Sequence, residues 1–364
     1  MTERAPARLE MESLEFEFHA LPWNVVFGNK ASRRLPHFIN QLGFKKVLVI
    51  STPGQAERAQ VIAASLGDLC AGTFTGARMH VPADTVGQAL EKVKQTGADC
   101  SVTIGGGSTT GLGKILALKA DLPFIAIPTT YAGSEMTNIW GMTEGGKKQT
   151  GRDTKVVPLL TIYDPELTLD LPPPIAGPSG INAMAQAVVN VMTEKPNPII
   201  AALAEDAIRV LAANLPIVVK EPHNGQARAR VLYGACLAGA ALGSGVTGIH
   251  HRLCHVLGGG FDTPHADTHA ILLPYTVAFN SGAVPDGSGR VAAALNAEDA
   301  ARGVFDLLKA TGCKTSLQQI GIKASDLDDI AARAVQTPCA NPRPVTLDGV
   351  RQLLQNAFEG SLSP

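Results

Sequence analysis

The chain has 364 residues, 45% of them hydrophobic and 17% charged, with a formal net charge of −1. That length suggests about two domains, and the composition can fill an apolar core. The near-zero charge gives no electrostatic case for nucleic acid or an anionic membrane.

The first residues, MTERAPARLEMESLEFEF, mix acids and bases without an apolar run, so they do not read as a signal peptide. Six scattered cysteines (70, 100, 236, 254, 313 and 339) form no C-x-x-C pair, which predicts reduced thiols in a cytoplasmic protein. Short apolar runs at 46–51, 101–104 and 124–130 predict buried strands. Between them, Val86, Leu90 and Val93 share one helix face, as do Leu112, Ile115 and Leu116. This alternation predicts an α/β fold: a Rossmann-like domain over residues 1–165, with a parallel sheet covered on both faces.

The prolines at 172–174 mark a change of texture. Residues 166–364 read as an all-helical domain, with helices expected over 180–193, 198–213, 226–257 and 265–280. VLYGACLAGAALGSGVTGI (231–249) carries no charge and is long enough on paper to span a bilayer. It is mostly Gly and Ala and runs straight into histidines, so it is read as a buried central helix.

Two loops suit a nucleotide. TIGGGSTTGLGK (103–114) follows a strand and opens a helix, whose free N–H groups and positive dipole end favour an anion such as pyrophosphate. It is neither G-x-G-x-x-G nor a P-loop. PTTYAGSEMT (128–137) ends the next strand, where ligands of open α/β sheets bind. Its five hydroxyl side chains, Thr129, Thr130, Tyr131, Ser134 and Thr137, suit phosphate, ribose or amide contacts.

GGGSTTGLGK, IPTTYAGSEMT, YDPELT and a late H-x3-H-x9-H, in this order, resemble the iron-containing alcohol dehydrogenase family. The run GGGSTTGLGK…PTTYAGSEMTNIWGMTEGGKKQTGRD is similar to one branch of it, the maleylacetate reductases. The resemblance implies a dehydroquinate synthase-like fold, with the active site in the cleft between an α/β and a helical domain. It implies NADH or NADPH as cofactor, a small dicarboxylate as substrate, and a homodimer. By motif match, Gly106, Gly107 and Ser108 hold the pyrophosphate; Thr129, Thr130, Ser134 and Thr137 line the cofactor; Lys148 reaches it. Where NAD-selective relatives carry an Asp after the second strand, Thr52 stands here, which removes the repulsion of a 2′-phosphate.

Residues 250–269, HHRLCHVLGGGFDTPHADTH, hold five of the nine histidines. Metal-dependent relatives use an Asp and a His four apart, plus two histidines fourteen apart. The second pair is present as His251 and His265, but Asn182 and Gln186 stand at the first. Neutral amide oxygens suit Fe²⁺ or Zn²⁺ poorly. The cluster is therefore read as a former metal site, with no metal and with Asn182 and Gln186 in the substrate pocket. His250 and His269 are expected to bond locally.

A dianion with a C=C bond conjugated to a ketone can accept hydride without a metal, if the resulting enolate is stabilised and protonated. His251, His265 and Arg252 are expected to supply positive charge and His255 the proton. Arg152 and Lys155 are read as a solvated charged loop, with carboxylate binding as the alternative. The rival reading is a metal-dependent alcohol or sugar-phosphate dehydrogenase, or a lyase, on the same fold.

Overall fold

The computed structural model describes residues 15–145 and 147–362. Residues 1–14, most of the N-terminal stretch read above as lacking a signal peptide, lie outside the described residues, as does Gly146 of the GMTEGG turn.

In strand β2 (Val47–Ile50) all four apolar side chains are buried, as expected of a parallel strand covered on both faces. β4 (Cys100–Gly105), β5 (Phe124–Pro128) and β8 (Leu160–Tyr163) are buried throughout in the same way. With β1 (Val25–Phe27) and β3 (Cys70–Phe74) they form one parallel sheet in the order β1-β8-β5-β4-β2-β3. The two-residue period splits β2 between two cores. Val47 and Val49 pack with α1 (Leu35–Leu42) and α2 (Ala56–Leu66); Leu48 and Ile50 pack with α3 (Ala83–Thr96) and α4 (Gly107–Ala120).

An antiparallel hairpin, β6 (Ile139–Glu144) and β7 (Lys147–Arg152), leaves the sheet after β5. Its register sets Lys148 opposite Thr143 and Arg152 opposite Ile139. It crosses to the helical half of the molecule, where a Cβ built on Gly259 would lie 3.6 Å from Lys148 Cβ.

Beyond Tyr163 the described residues form helices and no strand. α5 (Pro173–Val191), α6 (Pro198–Lys220), α7 (Gly225–Ser244), α9 (His265–Ser281), α10 (Pro285–Leu295) and α11 (Ala300–Ala310) share one large core. α8 (Ile249–Phe261), α12 (Leu327–Val335) and α13 (Leu347–Glu359) close a second one against α9.

The single helix expected over 226–257 is in fact two. α7 and α8 meet at 100°. Glycines flank the break: Gly245 ends α7 and Gly248 opens α8. Side chains from elsewhere take the backbone groups the break frees. Arg152 donates to the carbonyls of Gly243 and Gly245, Asn190 accepts from Val246 N, and Asn341 accepts from Ile249 N. Among the described residues no single helix is long and apolar enough to cross a membrane. The uncharged stretch 231–249 is largely interior.

Candidate active site

The glycine loop joins β4 to α4. Gly105 has φ +150°, and a Cβ there would sit 2.3 Å from Thr109 Oγ1. A Cβ on Gly106 would meet Thr130 Oγ1 at 2.8 Å. Gly107 and Ser108 begin α4, and their N–H groups have no acceptor among the described residues. Exposed N–H groups at a helix start, reached over side-chain-free backbone, fit a phosphate group. Thr52 lies two residues beyond β2, the strand beside β4, and makes no capping bond with its side chain. It therefore lies at the same sheet edge as the glycine loop.

The loop after β5 divides in two. Thr129 is buried with its Oγ1 unpartnered, while Thr130 and Ser134 are part-exposed. Tyr131 and Thr137, which the sequence grouped with the ligand-binding hydroxyls, turn inward instead. Tyr131 is fully buried and its hydroxyl accepts from Arg228 at 3.0 Å. Thr137 Oγ1 accepts from Lys114 Nζ at 2.9 Å and donates to Ser134 O. Lys114 also donates to the carbonyls of Ser134, Thr137 and Ile139, at 2.7, 2.8 and 2.7 Å. Burial pulls Lys114 down to about 7, opposed by the carboxylate of buried Glu135. Four oxygen acceptors favour the ammonium. The loop is thus clamped from beneath by a residue of α4.

The helical wall carries unpaired polar atoms. Asn182 Oδ1, Gln186 Oε1 and both ring nitrogens of His251 are buried without a partner. Buried polar atoms are nearly always satisfied in folded proteins, so a group of orphans marks a ligand surface. Gln186 and Asn182 lie one turn apart on α5, and Gln186 Nε2 donates to Ala132 O at 2.7 Å. Asn190, a further turn along, bonds Val246 and so ties α5 to the break before α8.

The histidines form one cluster between α8 and α9. Ring centroids lie 4.5 Å apart for His265–His269, 5.3 Å for His251–His269 and 4.9 Å for His250–His269. His250 bonds both His269 and Thr276, as expected of local packing. Burial lowers every one of the five. His251 falls to about 4, helped by the charge of Arg152. His265 falls to about 3, helped by Lys148 and His80. His250, His255 and His269 fall well below the usual range, with Lys148 next after burial in depressing His255. The expectation that His251 and His265 bring positive charge is therefore corrected: near pH 7 they are neutral. The positive charges come from Lys148 and Arg152 on β7. Arg252 is only part-buried and reaches toward Pro338 O at 3.5 Å.

His80 was not picked out from the sequence. It follows β3, has a buried Nε2 with no hydrogen bond and the Asp262 carboxylate 3.9 Å away, and is lowered by burial and by Lys148, against the opposing charge of Asp262. His80 and Val81 both have positive φ, +61° and +47°. For a β-branched residue that is an outlier, and such strain clusters at ligand sites. No local sequence signal announces it. Lys155 ion-pairs with Asp121 on the surface, as a charged loop would. Arg152 does not: its guanidinium is bonded to Asn138 and to the α7–α8 break.

A family model for iron-containing alcohol dehydrogenases matches residues 22–165, and a model for the C-terminal part of the Fe-containing alcohol dehydrogenase family matches 177–358. The chain belongs to the iron-containing alcohol dehydrogenase family. It is an oxidoreductase, with the family's N-terminal α/β and C-terminal helical domains. It is 46% identical over 347 residues to a maleylacetate reductase of Sphingobium indicum, covering 95% of this chain and 98% of that one. A putative alcohol dehydrogenase from Ralstonia eutropha superposes with a TM-score of 0.94 at 44% identity, covering 96% and 99% of the two chains. The maleylacetate reductase of a Rhizobium species superposes with a TM-score of 0.91 at 45% identity, again covering 96% and 99%.

The family's name implies iron, and the donor set does not fit it. His251 and His265 offer neutral imidazoles; Asn182 and Gln186 offer one free amide oxygen each, and Gln186 Nε2 is already committed to Ala132. No carboxylate is in the set, whereas Fe²⁺ and Zn²⁺ sites of this kind combine imidazole with anionic ligands. His250, Cys254 and His269 also approach one another closely enough to hold an ion. Both nitrogens of His250 are spent in hydrogen bonds, to Thr276 and His269.

Proposed function

We propose that this protein reduces the C=C bond of maleylacetate to 3-oxoadipate with NADH or NADPH, without a metal ion, in the breakdown of aromatic compounds. The observation that carries the metal-free reading is the pair Asn182 and Gln186, neutral amides with unpaired oxygens beside a histidine cluster. Similarity to maleylacetate reductases over almost the whole chain supports the choice of substrate.

When bound, the reduced nicotinamide supplies hydride to the alkene carbon β to the ketone. Gly106, Gly107, Ser108, Thr129, Thr130 and Ser134 hold the dinucleotide, and Thr52 leaves room for a 2′-phosphate. Hydride addition makes an enolate, whose negative charge is stabilised by the Lys148 ammonium and by polar groups of His251 and His265. His255 delivers the proton to the carbon between the reduced centre and the carbonyl. Burial and Lys148 hold His255 neutral near pH 7. A dianionic substrate brings negative charge that offsets that of Lys148 and so favours uptake of the proton on binding.

The test follows absorbance of the reduced nicotinamide while protein and maleylacetate are mixed after a chelator wash. Consumption at an undiminished rate supports the reading; turnover of simple alcohols alone, or loss of activity with the chelator, overturns it. His255→Ala is expected to lower kcat by a factor on the order of 10²–10⁴, the usual scale for a general acid.

A further inference from the structure

Arg152 closes β7, and its side chain reaches from the hairpin to the break between α7 and α8. Nη1 donates to Asn138 Oδ1 and Gly243 O, both at 3.0 Å, and Nη2 donates to Gly245 O at 3.2 Å. A guanidinium has five N–H donors. Three are used, which leaves Nε–H and one on Nη2 without a partner among the described residues.

Its charge is also unmatched. All three acceptors are neutral, and none of the ion pairs among the described residues includes Arg152. Seven other arginines behave differently: Arg58, Arg78, Arg209, Arg290, Arg302, Arg333 and Arg351 each hold a carboxylate. Arg152 is nonetheless held in place by three hydrogen bonds, is exposed to solvent, and its charge acts on the buried His251. An anchored guanidinium with free donors and no counter-ion, beside a wall of orphaned polar atoms, is built for an anion. The planar fork selects a carboxylate or a phosphate. The phosphate-binding backbone belongs to the glycine loop at the sheet edge, which leaves Arg152 to a carboxylate.

We propose that Arg152 is the carboxylate receptor of the active site, holding one end of a dianionic substrate against the wall formed by Asn182, Gln186 and His251. This rests on the dicarboxylate reading above and names the residue that reads the charge. The bonds to Gly243 and Gly245 give the receptor a second consequence. The α7–α8 break, which aims His251, and the substrate share one anchor.

The test measures binding and turnover separately, on the full-length protein. Calorimetry compares adipate with its dimethyl ester, in the unmodified protein and in Arg152→Met and Arg152→Lys. Steady-state kinetics with maleylacetate give KM and kcat for the same three proteins. Arg152→Met is expected to weaken adipate on the order of 10²-fold, the scale for losing one partner of a hydrogen-bonded charge pair. The dimethyl ester, which has no carboxylate for the guanidinium to hold, should change by at most a few-fold. Arg152→Lys should fall between, since it keeps the charge and loses the fork. In turnover the change should appear in KM more than in kcat. Equal weakening of diacid and dimethyl ester would assign Arg152 a structural role only and overturn the proposal, as would unchanged adipate affinity or no adipate binding to the unmodified protein. Absence of maleylacetate turnover in the unmodified protein, with the adipate pattern intact, would instead overturn the assigned reaction and keep the receptor.

Discussion

His250 on α8 and His269 on α9 share a hydrogen bond, 2.9 Å from Nε2 to Nδ1. The proton positions follow from the neighbours. Thr276 Oγ1 donates to Leu273 O, so toward His250 Nδ1, 3.0 Å away, it accepts. His250 therefore carries its proton on Nδ1 and accepts at Nε2. His269 must then donate from Nδ1, which leaves its Nε2 with a lone pair. A threonine on one helix thus sets the tautomers of two histidines in the core of the cluster.

Removing that threonine hydroxyl tests the chain. Thr276→Val keeps the shape and strands a buried N–H, which is expected to cost about 1–3 kcal/mol of stability. Nitrogen NMR on the unmodified protein should show His250 and His269 neutral and protonated on Nδ1 at pH 7. A variant as stable as the parent, or an Nε2-protonated His250, would break the assignment.

Acid should destabilise the protein through the same cluster. Unfolded imidazoles take a proton near pH 6.5. In the folded state burial holds His251 at about 4 and His265 at about 3, with His250, His255 and His269 also well below the usual value. Below pH 6.5 the unfolded chain therefore binds more protons than the folded one, and stability falls as pH falls. Above 6.5 both states are neutral and this contribution is constant. Denaturant unfolding between pH 8 and pH 5 should show the loss setting in below 6.5, and His265→Asn should make it shallower. Flat stability across that range would mean that the folded histidines protonate freely.

How far the sequence could be read depended on distance along the chain. The strand–loop–helix around Gly105–Gly107 was legible because its parts are contiguous and each obeys a local rule. The inward turn of Tyr131 was not, because its cause is Arg228, 97 residues away. The same holds for the break after α7. Gly245 and Gly248 permit it, but Arg152 and Asn341 satisfy its backbone, and nothing near those two residues says so. His80 shows a third limit. Its strained backbone is a property of how β3, the hairpin and α8 meet: its own carbonyl accepts from Thr143 Oγ1, and its ring lies beside Gly258. The neutrality of the histidines was likewise hidden, since it follows from burial and from the charges of Lys148 and Arg152, which lie far upstream in the chain.

Cofactor choice should turn on Thr52. It lies two residues beyond β2, next to the strand that carries the glycine loop, and its side chain is not engaged in a cap. A carboxylate there would face a 2′-phosphate and could accept from a 2′-hydroxyl. Thr52→Asp is expected to raise the KM for NADPH at least tenfold, an order-of-magnitude figure for a like-charge contact of roughly 1.4 kcal/mol, while NADH changes little. An equal response of both cofactors would place Thr52 away from the ribose.

The last expectation concerns the lost metal site. Asn182→Asp with Gln186→His would restore one carboxylate and a third imidazole to the pair His251 and His265. Without metal the double variant should be less stable than its parent, for two reasons. Residue 182 is buried, so the new carboxylate is desolvated with no cation against it. Residue 186 loses the amide that donates to Ala132 O. If the backbone of α5, α8 and α9 keeps the ligand geometry, Zn²⁺ binds the folded form alone and raises its Tm with concentration. The parent, offering amide oxygens instead, should show no such rise. Maleylacetate reduction should fall in the zinc-loaded variant, because the cation occupies the wall where the substrate is proposed to lie. Thermal unfolding with and without Zn²⁺, and elemental analysis of the chelator-washed parent, decide the matter. A parent stabilised by Zn²⁺ as much as the double variant, or one that retains stoichiometric iron or zinc, would show that Asn182 and Gln186 did not end metal binding.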